Sequence, residues 1–295
     1  MKTFLYRTLP SDFSKDIYIW DVDKTYLNTH FESRRGLLRI LIEASIDKTS
    51  LPGVKNLLLE LRKGTTHDIA LSPIYFVTAS PLQLKKIIEG KFLIDGVQHD
   101  GLIVKDYLRL REKVGKMRFK NNYSYKLMAL LNLRLHLPAQ AKEILFGDDY
   151  EMDAEVYSLY SDIIGNQILT PQIESMLKHQ LLAKSEIKKI LEKVEEVKVL
   201  PSGQVEKIFI HTIKGQPPEY FQKFGDRLIS TKNYLQTAAV LYKMGKISKE
   251  GFKRVANSFN LKYPIDEWSF QKSLMDLRER KILLPAIFDD LISWR

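Results

Sequence analysis

The fold is decided by a stretch near the N-terminus in which a short apolar run ends abruptly in acidic residues. This stretch, residues 17–25, reads Ile17-Tyr18-Ile19-Trp20-Asp21-Val22-Asp23-Lys24-Thr25. Such a run predicts a strand that is buried on both faces, and the polar residues after it predict a loop. The same design recurs at residues 74–81, with the sequence IYFVTASP, and at residues 143–149, with the sequence EILFGDD. The sequence therefore predicts three buried strands that each end in polar residues.

Helical patterns separate the predicted strands. Apolar residues recur at steps of three and four over residues 35–44, 54–61 and 125–135, and residues 153–164 continue the pattern after the third strand. Strands that alternate with helices predict an α/β fold with a Rossmann-like, mainly parallel sheet. In such sheets ligands bind at the carboxyl edge, so we expect a site there. Residues 93–107 contain two glycines between short apolar runs and predict a small hairpin.

The composition changes near residue 171, which predicts two domains. Residues 1–170 would form the α/β domain, and residues 171–295 a mainly helical region. Within the latter, residues 173–194 predict one long amphipathic helix. Residues 197–213 predict a β-hairpin around the turn sequence PSGQ.

Composition excludes several classes of site. The 295 residues include no Cys, so disulfides, zinc–thiolate sites and cysteine nucleophiles are excluded. The formal charge of +10 favours anionic partners. No stretch approaches the roughly 20 apolar residues of a membrane span, and the N-terminus lacks the apolar run of a signal peptide. We therefore expect a cytoplasmic protein.

The first chemical signal is a pair of carboxylates, Asp21 and Asp23, directly after a buried strand. Such a pair suits the hydrolysis of a phosphate ester, because one carboxylate can attack phosphorus while the other protonates the leaving oxygen and later activates water. In isolation, an Asx-turn or a helix N-cap would also account for the two residues.

A second acidic cluster follows the third strand and reads Gly147-Asp148-Asp149-Tyr150-Glu151-Met152-Asp153. Mg²⁺ takes oxygen ligands, usually one or two protein carboxylates together with waters and substrate phosphate. The cluster therefore predicts a magnesium site. N-capping of the next helix by Asp153 is the alternative, and both interpretations can hold together.

Two further residues extend the pattern. Thr78 ends the second strand with a hydroxyl that could donate to a phosphoryl oxygen, and Lys126 opens the helix before the third strand. Each has an ordinary explanation alone, since Thr is common at strand ends and a helix-surface Lys is usually solvated. The two residues occur between the acidic pair and the acidic cluster, and it is this combination of four motifs in order that indicates a phosphatase site.

These four motifs, over roughly residues 15–165, resemble those of the haloacid-dehalogenase-like phosphatase superfamily. More narrowly, the sequences WDVDKT and TASP and the Gly-Asp-Asp turn are similar to the catalytic domain of actin-patch-type phosphatidate phosphatases. The resemblance implies a magnesium-dependent phosphomonoesterase that works through an aspartyl-phosphate intermediate. The short intervals between the motifs, residues 25–78 and 78–126, predict a small cap beside the haloacid-dehalogenase-like core.

The resemblance assigns catalytic roles residue by residue. Asp21 would be the nucleophile, and Asp23 the general acid and then the general base. Thr78 and Lys126 would hold the phosphoryl oxygens. We expect Asp23 to titrate higher than Asp21, because Asp23 must carry a proton in the first step.

The resemblance also assigns the metal ligands. Asp21, the main-chain carbonyl of Asp23, and Asp148 would bind Mg²⁺. Asp149 and Asp153 remain ambiguous, because either could contact the metal through water while the other orients the lysine.

The predicted partner is an anionic phosphate ester, with phosphatidate or another lipid phosphate as the leading candidate. A basic run at residues 109–120 either is a solvated surface stretch or guides anionic substrates and membrane headgroups, so peripheral membrane contact is part of the prediction. Nucleic acid is not expected, because no nucleic-acid module is recognisable. The alternatives are a phosphatase of nucleotides, sugar phosphates or polynucleotide ends, and a non-catalytic binding or scaffold protein on the same fold.

Overall fold

One sheet of seven strands organises the protein in this computed structural model, which describes residues 1–27, 50–65, 71–106, 122–262 and 266–293. The strand order is β1-β4-β3-β2-β5-β6-β7, and every pairing is parallel except that of β1 with β4. The strands are β1 (Lys2–Leu5), β2 (Asp16–Asp21), β3 (Ile74–Pro81), β4 (Gly101–Lys105), β5 (Lys142–Asp148), β6 (Gln204–His211) and β7 (Leu228–Thr231). The α/β, mainly parallel fold class is thus confirmed.

Ten α-helices and two short 3₁₀ helices occur within the described residues, and they cover both faces of the sheet. The α-helices are α1 (Val54–Lys63), α2 (Lys85–Asp95), α3 (Asn122–Arg134), α4 (Asp153–Ile164), α5 (Thr170–His179), α6 (Lys184–Lys198), α7 (Tyr234–Lys243), α8 (Lys249–Lys262), α9 (Glu267–Glu279) and α10 (Pro285–Ile292). The 3₁₀ helices are Leu82–Leu84 and Pro218–Phe224. None of the described helices is long and apolar enough to cross a bilayer.

Two hydrophobic cores form because successive side chains of each strand point to opposite faces. In β2, Tyr18 and Trp20 face the core built with α1, α2 and α7–α10, whereas Ile17 and Ile19 face the core built with α3–α6. The Trp20 indole stacks on Phe146 of β5 with ring centres 3.9 Å apart. β2 is the fourth of the seven strands, and its apolar side chains are buried on both faces of the sheet.

The three strands predicted to deliver polar residues are neighbours. β2 lies between β3 and β5, with Asp21 beside Val77 in register and Trp20 beside Phe146. Because all three run parallel, their carboxyl ends meet at one edge of the sheet. The chain therefore brings the predicted motifs together by topology alone.

The hairpin predicted for residues 197–213 is wrong. Helix α6 continues to Lys198, and β6 alone follows, paired in parallel with β5. The turn sequence wraps the buried guanidinium of Arg134 instead, since a Cβ on Gly203 would lie only 2.8 Å from that group. Residues 208–210 are apolar and buried, which suits an inner strand of a parallel sheet.

Two other predictions of local structure are wrong. The hairpin predicted for residues 93–107 is not formed, because the described residues 93–105 contain the end of α2 and then β4, which pairs in parallel with β3. Residues 173–194 form two helices, α5 and α6, and not one, because the backbone turns at Leu181 with a φ of 54°.

Two predictions concern residues outside the described ranges, and a third stays untested. The helix predicted at residues 35–44 and the basic run at residues 109–120 lie outside the described residues. The division of the chain at residue 170 stays a prediction, although strands from both sides of it share the sheet.

Candidate active site

The carboxyl ends of three neighbouring strands supply the polar groups of the site. β2 ends at Asp21, β3 carries Thr78 and Ser80, and β5 ends at Asp148. Asp21, Thr78 and Asp148 are buried to within 1% of full enclosure. Buried polar and charged side chains need hydrogen bonds or ion pairs to stabilise them. Each of these three side chains has such contacts.

Asp21, Asp148 and Asp153 form an acidic triad whose carboxylate oxygens lie within 4.8 Å of one another. Asp153 opens α4, and its Oδ2 accepts the backbone N–H of Asp148 at 3.1 Å. A Cβ on Gly147 would lie 2.7 Å from the Cβ of Asp153, so only glycine permits this close approach.

Lys126 supplies the positive charge of the site. Its Nζ lies 3.1 Å from Asp21 Oδ1, 2.5 Å from Asp153 Oδ1 and 2.8 Å from Glu151 Oε2. The side chain is 2% exposed, so these ion pairs are formed away from bulk water. Glu151 was not among the predicted site residues, because four carboxylates in one turn do not reveal which of them faces the lysine.

Asp23, two residues after Asp21 in the loop that follows β2, lies among hydroxyls. Its Oδ2 accepts hydrogen bonds from Thr78 Oγ1 at 2.9 Å and from Ser80 Oγ at 2.8 Å. The Thr78 hydroxyl accepts the Ser80 N–H at 2.9 Å, and the Thr78 carbonyl accepts the Tyr125 hydroxyl at 2.7 Å. Thr78 therefore positions Asp23 here, and its predicted contact with a phosphoryl oxygen stays a prediction.

Asp149 points away from the acidic triad. Its Oδ1 accepts the backbone N–H groups of Ile213 at 2.6 Å and Lys214 at 2.8 Å, and its Oδ2 accepts that of Gln216 at 3.3 Å. The carboxylate thus anchors the loop that follows β6. This placement does not support Asp149 as a metal ligand and leaves Asp153 as the second carboxylate of the turn near Asp21.

The pKa values of the site reflect burial and the crowding of carboxylates. Burial raises the pKa values of Asp21, Asp148 and Asp153, and neighbouring carboxylates raise them further; for Asp148 the pKa rises to about 7. Burial alone would lower the pKa of Lys126, but the surrounding carboxylates outweigh it and raise that pKa. Burial works against ionised Glu151, yet Lys126 holds its pKa below the ordinary value.

Burial raises the pKa values of both Asp21 and Asp23, and around Asp21 the carboxylates of three neighbours, Asp153, Glu151 and Asp148, add their repulsion. The expectation that Asp23 titrates higher than Asp21 stays a prediction. A divalent cation at the triad would lower the pKa of Asp21 by direct attraction. Such a cation would therefore favour the predicted order, in which the pKa of Asp23 is higher than that of Asp21.

The triad fits a hard divalent cation. It offers carboxylate oxygens from three elements, β2, β5 and α4, and these are the ligands that Mg²⁺ takes in proteins. One or two direct carboxylates suffice for Mg²⁺. All three carboxylates also contact protein groups, so these contacts do not rank them as ligands. Asp21 and Asp148 stay the predicted direct ligands.

A residue far along the chain supports the loop that follows β2, residues 22–25. Thr25 Oγ1 donates towards Asp148 Oδ2 at 3.1 Å and lies 3.4 Å from Asp21 Oδ2, while the Thr25 carbonyl accepts the hydroxyl of Tyr234 in α7. Tyr234 is buried against Trp20 and His211. No sequence signal singles out Tyr234, since its partner is more than two hundred residues away.

Tyr234→Phe should remove the hydrogen bond to the Thr25 carbonyl while it keeps an aromatic ring of the same shape. We expect kcat to fall about tenfold with KM nearly unchanged, because small misplacements of a reacting group are costly, and stability to fall by about 1 kcal/mol. Tyr242→Phe, on the same helix, removes a hydroxyl that donates to Asp290 at 2.6 Å and serves as the control. Equal kinetic losses in the two variants would contradict a positioning role for Tyr234.

Comparison with known proteins agrees with this geometry. A family model described as phosphatidate phosphatase APP1, catalytic domain, matches residues 17–175, which is more than half of the chain and includes all the predicted site residues. No curated protein and no solved structure gives a match. The narrower resemblance drawn from the sequence is confirmed, and the wider haloacid-dehalogenase-like one stays a prediction. The chain therefore belongs to the family of the phosphatidate phosphatase APP1 catalytic domain, and it is a hydrolase that acts on phosphoric monoesters.

Proposed function

We propose that this protein is a magnesium-dependent phosphatase that hydrolyses phosphatidate through an aspartyl-phosphate intermediate on Asp21. The observation that carries the proposal is the contact of Lys126 with Asp21 beside Asp148 and Asp153. Phosphoryl transfer depends mainly on positioning and on stabilisation of negative charge. A nucleophilic carboxylate, a buried lysine and ligands for a cation meet both needs.

The first half of the reaction transfers the phosphoryl group to the enzyme. An oxygen of Asp21 forms a bond to phosphorus, and the bond from phosphorus to the ester oxygen breaks. Asp23 gives its proton to that leaving oxygen, so that an alcohol departs. Burial raises the pKa of Asp23, which favours the protonated form that this step uses.

The second half returns the enzyme to its starting state. Asp23, now ionised, takes a proton from water, and the water oxygen bonds to phosphorus while the bond to Asp21 breaks. Lys126 neutralises charge on the transferring group. A magnesium ion held by Asp21 and Asp148 would screen the phosphate dianion from the approaching carboxylate.

The proposal is tested by phosphate release from phosphatidate with magnesium, with other divalent cations and with a chelator. Release that needs magnesium supports it. Nucleotides, sugar phosphates and polynucleotide 3′ and 5′ phosphates belong in the same screen, and preference for one of them would replace phosphatidate as the substrate. No release from any ester with any metal would favour a binding or scaffold protein.

The cytoplasmic location stays a prediction.

The metal ligands are tested by two neighbouring substitutions. Asp148→Asn should raise the magnesium concentration for half-maximal activity by more than the roughly 10- to 100-fold typical of lost outer-shell groups. Asp149→Asn should leave that concentration unchanged, because the Asp149 carboxylate is turned towards backbone N–H groups of residues 213–216. If instead Asp149→Asn weakened magnesium dependence as much as Asp148→Asn, the assignment of Asp148 as the ligand of this turn would be wrong.

A further inference from the structure

Two lysines from different parts of the chain converge on one aromatic ring beside the acidic triad. The Nζ of Lys24 lies over the ring of Tyr150, and the Nζ of Lys214 lies 4.6 Å from the centre of the same ring. Lys214 also donates to the Tyr150 carbonyl at 2.8 Å. The backbone N–H of Tyr150 donates to Asp148 Oδ1 at 2.6 Å, so the ring borders the catalytic edge.

The two ammonium groups have no counter-ion within the part of the chain that the structure describes, where no carboxylate approaches either within 4.0 Å. The carboxylate of Asp149, next to Tyr150, is committed to the backbone of residues 213–216. Two ammonium groups that no described carboxylate pairs with directly can bind an anion that approaches them closely.

Apolar side chains flank this pair of lysines. Tyr150 is 48% exposed, Ile213 42% and Met152 39%. Because Asp149 fastens the loop after β6 to the turn after β5, residues of the two segments lie side by side. We call this group of side chains the docking rim; it consists of Lys24, Tyr150, Met152, Ile213 and Lys214.

The composition of the docking rim matches the boundary of a lipid bilayer. Tyrosine is enriched where one end of a side chain is apolar and the other is wet. Lysines beside exposed apolar groups bind anionic headgroups, since both electrostatic attraction and burial contribute. Asp21 itself is 1% exposed, so a substrate phosphate must be delivered to it from the surface that borders the triad.

We propose that the docking rim seats the active site on an anionic bilayer surface, with Lys24 and Lys214 against headgroups and Tyr150, Met152 and Ile213 at headgroup level. This inference rests on the proposed function, because only a lipid phosphate requires the enzyme to work at a bilayer. It identifies the partner of the site as a membrane surface with negative charge.

The test uses the full chain with Asp21→Asn, in chelator, and measures co-sedimentation with vesicles. Vesicles of phosphatidylcholine are compared with vesicles that also contain phosphatidylserine, which is anionic but is not a phosphate monoester. We expect binding to the second kind only. Lys24→Gln with Lys214→Gln should weaken that binding about tenfold.

The charge control is Lys15→Gln with Lys142→Gln, which removes the same charge at the opposite edge of the sheet, where β2 and β5 begin. It should bind like the parent. The apolar arm compares Ile213→Ser, expected to weaken binding severalfold, with Ile94→Ser, which lies at the end of α2 and is 66% exposed. Equal losses in rim and control variants, or no binding to anionic vesicles at all, would overturn the docking rim.

Phosphate release by the wild-type chain separates this inference from the proposed function. Hydrolysis of detergent-dispersed phosphatidate without vesicle binding would overturn the docking rim and leave the function standing. Vesicle binding through the rim without hydrolysis of any phosphate ester would support the docking rim and overturn the function.

Discussion

Asp21→Asn is expected to lower kcat for phosphate release by a factor on the order of 10⁴ or more, since it removes the nucleophile on which the covalent intermediate forms. The substitution is nearly isosteric, and Asn keeps the same size at the end of β2. Phosphate release under single-turnover conditions measures the loss directly. Residual activity of more than a few per cent would show that another group attacks phosphorus.

The same variant should be more stable than the wild-type chain in metal-free buffer. Asp21, Asp148 and Asp153 crowd three carboxylates into a buried volume, and removal of one charge relieves their repulsion. The midpoint of thermal unfolding should therefore rise. Asp290→Asn, which removes an exposed carboxylate paired with Lys249, provides the control and should not raise the midpoint. A gain of stability with loss of activity would show that this charge is kept for catalysis.

Lys126→Met is expected to destabilise the protein by about 3–5 kcal/mol, because removal of one partner leaves buried charges without compensation. Asp21, Asp153 and Glu151 all rely on this ammonium group. Activity should also be lost, since the lysine lies beside the nucleophile. Urea unfolding measures the stability, and Lys178→Met, which breaks only the exposed pair with Glu174, should cost less than about 1 kcal/mol.

Lys126→Met could destabilise the protein because the buried carboxylates lose their counter-ion or because the side chain packs less well. Two further measurements distinguish these causes. The pKa values of the triad are higher in the folded protein than in the unfolded chain, so the folded protein binds more protons. Its stability therefore falls as the pH rises from about 4 towards about 7, the pKa of Asp148. Acidification over that window should therefore recover stability in the variant. Glu151→Gln added to Lys126→Met should recover part of it without recovering activity. A loss that neither change reduces would indicate packing alone.

The carboxyl-edge residues could be predicted from sequence because their placement is local. Asp21, Thr78 and Asp148 each follow an apolar run, and a parallel sheet brings the ends of neighbouring strands together whatever the remaining details. Lys126 was placed correctly by its motif. In these cases the position along one strand or helix decides where the side chain goes.

The remaining parts of the site depend on contacts between distant segments. Asp149 and Asp153 look equivalent in sequence, and only the loop at residues 213–216 draws Asp149 away from the triad. Tyr234 reaches Thr25 through the packing of α7 on the sheet. The turn sequence before β6 has the local chemistry of a hairpin, but its path is set by the buried guanidinium of Arg134. No local pattern encodes these choices.

The pairing of β5 with β6 has a consequence for how the chain can be divided. The segment that defines the family stops at residue 175, whereas the strand that completes the hydrogen bonding of β5 begins at Gln204. A fragment cut at that boundary would carry β5 as an open edge, apolar on both faces, with unpaired backbone groups available to any similar strand. Such a fragment is expected to self-associate, so the matched residues depend on β6, outside the match, for a closed edge.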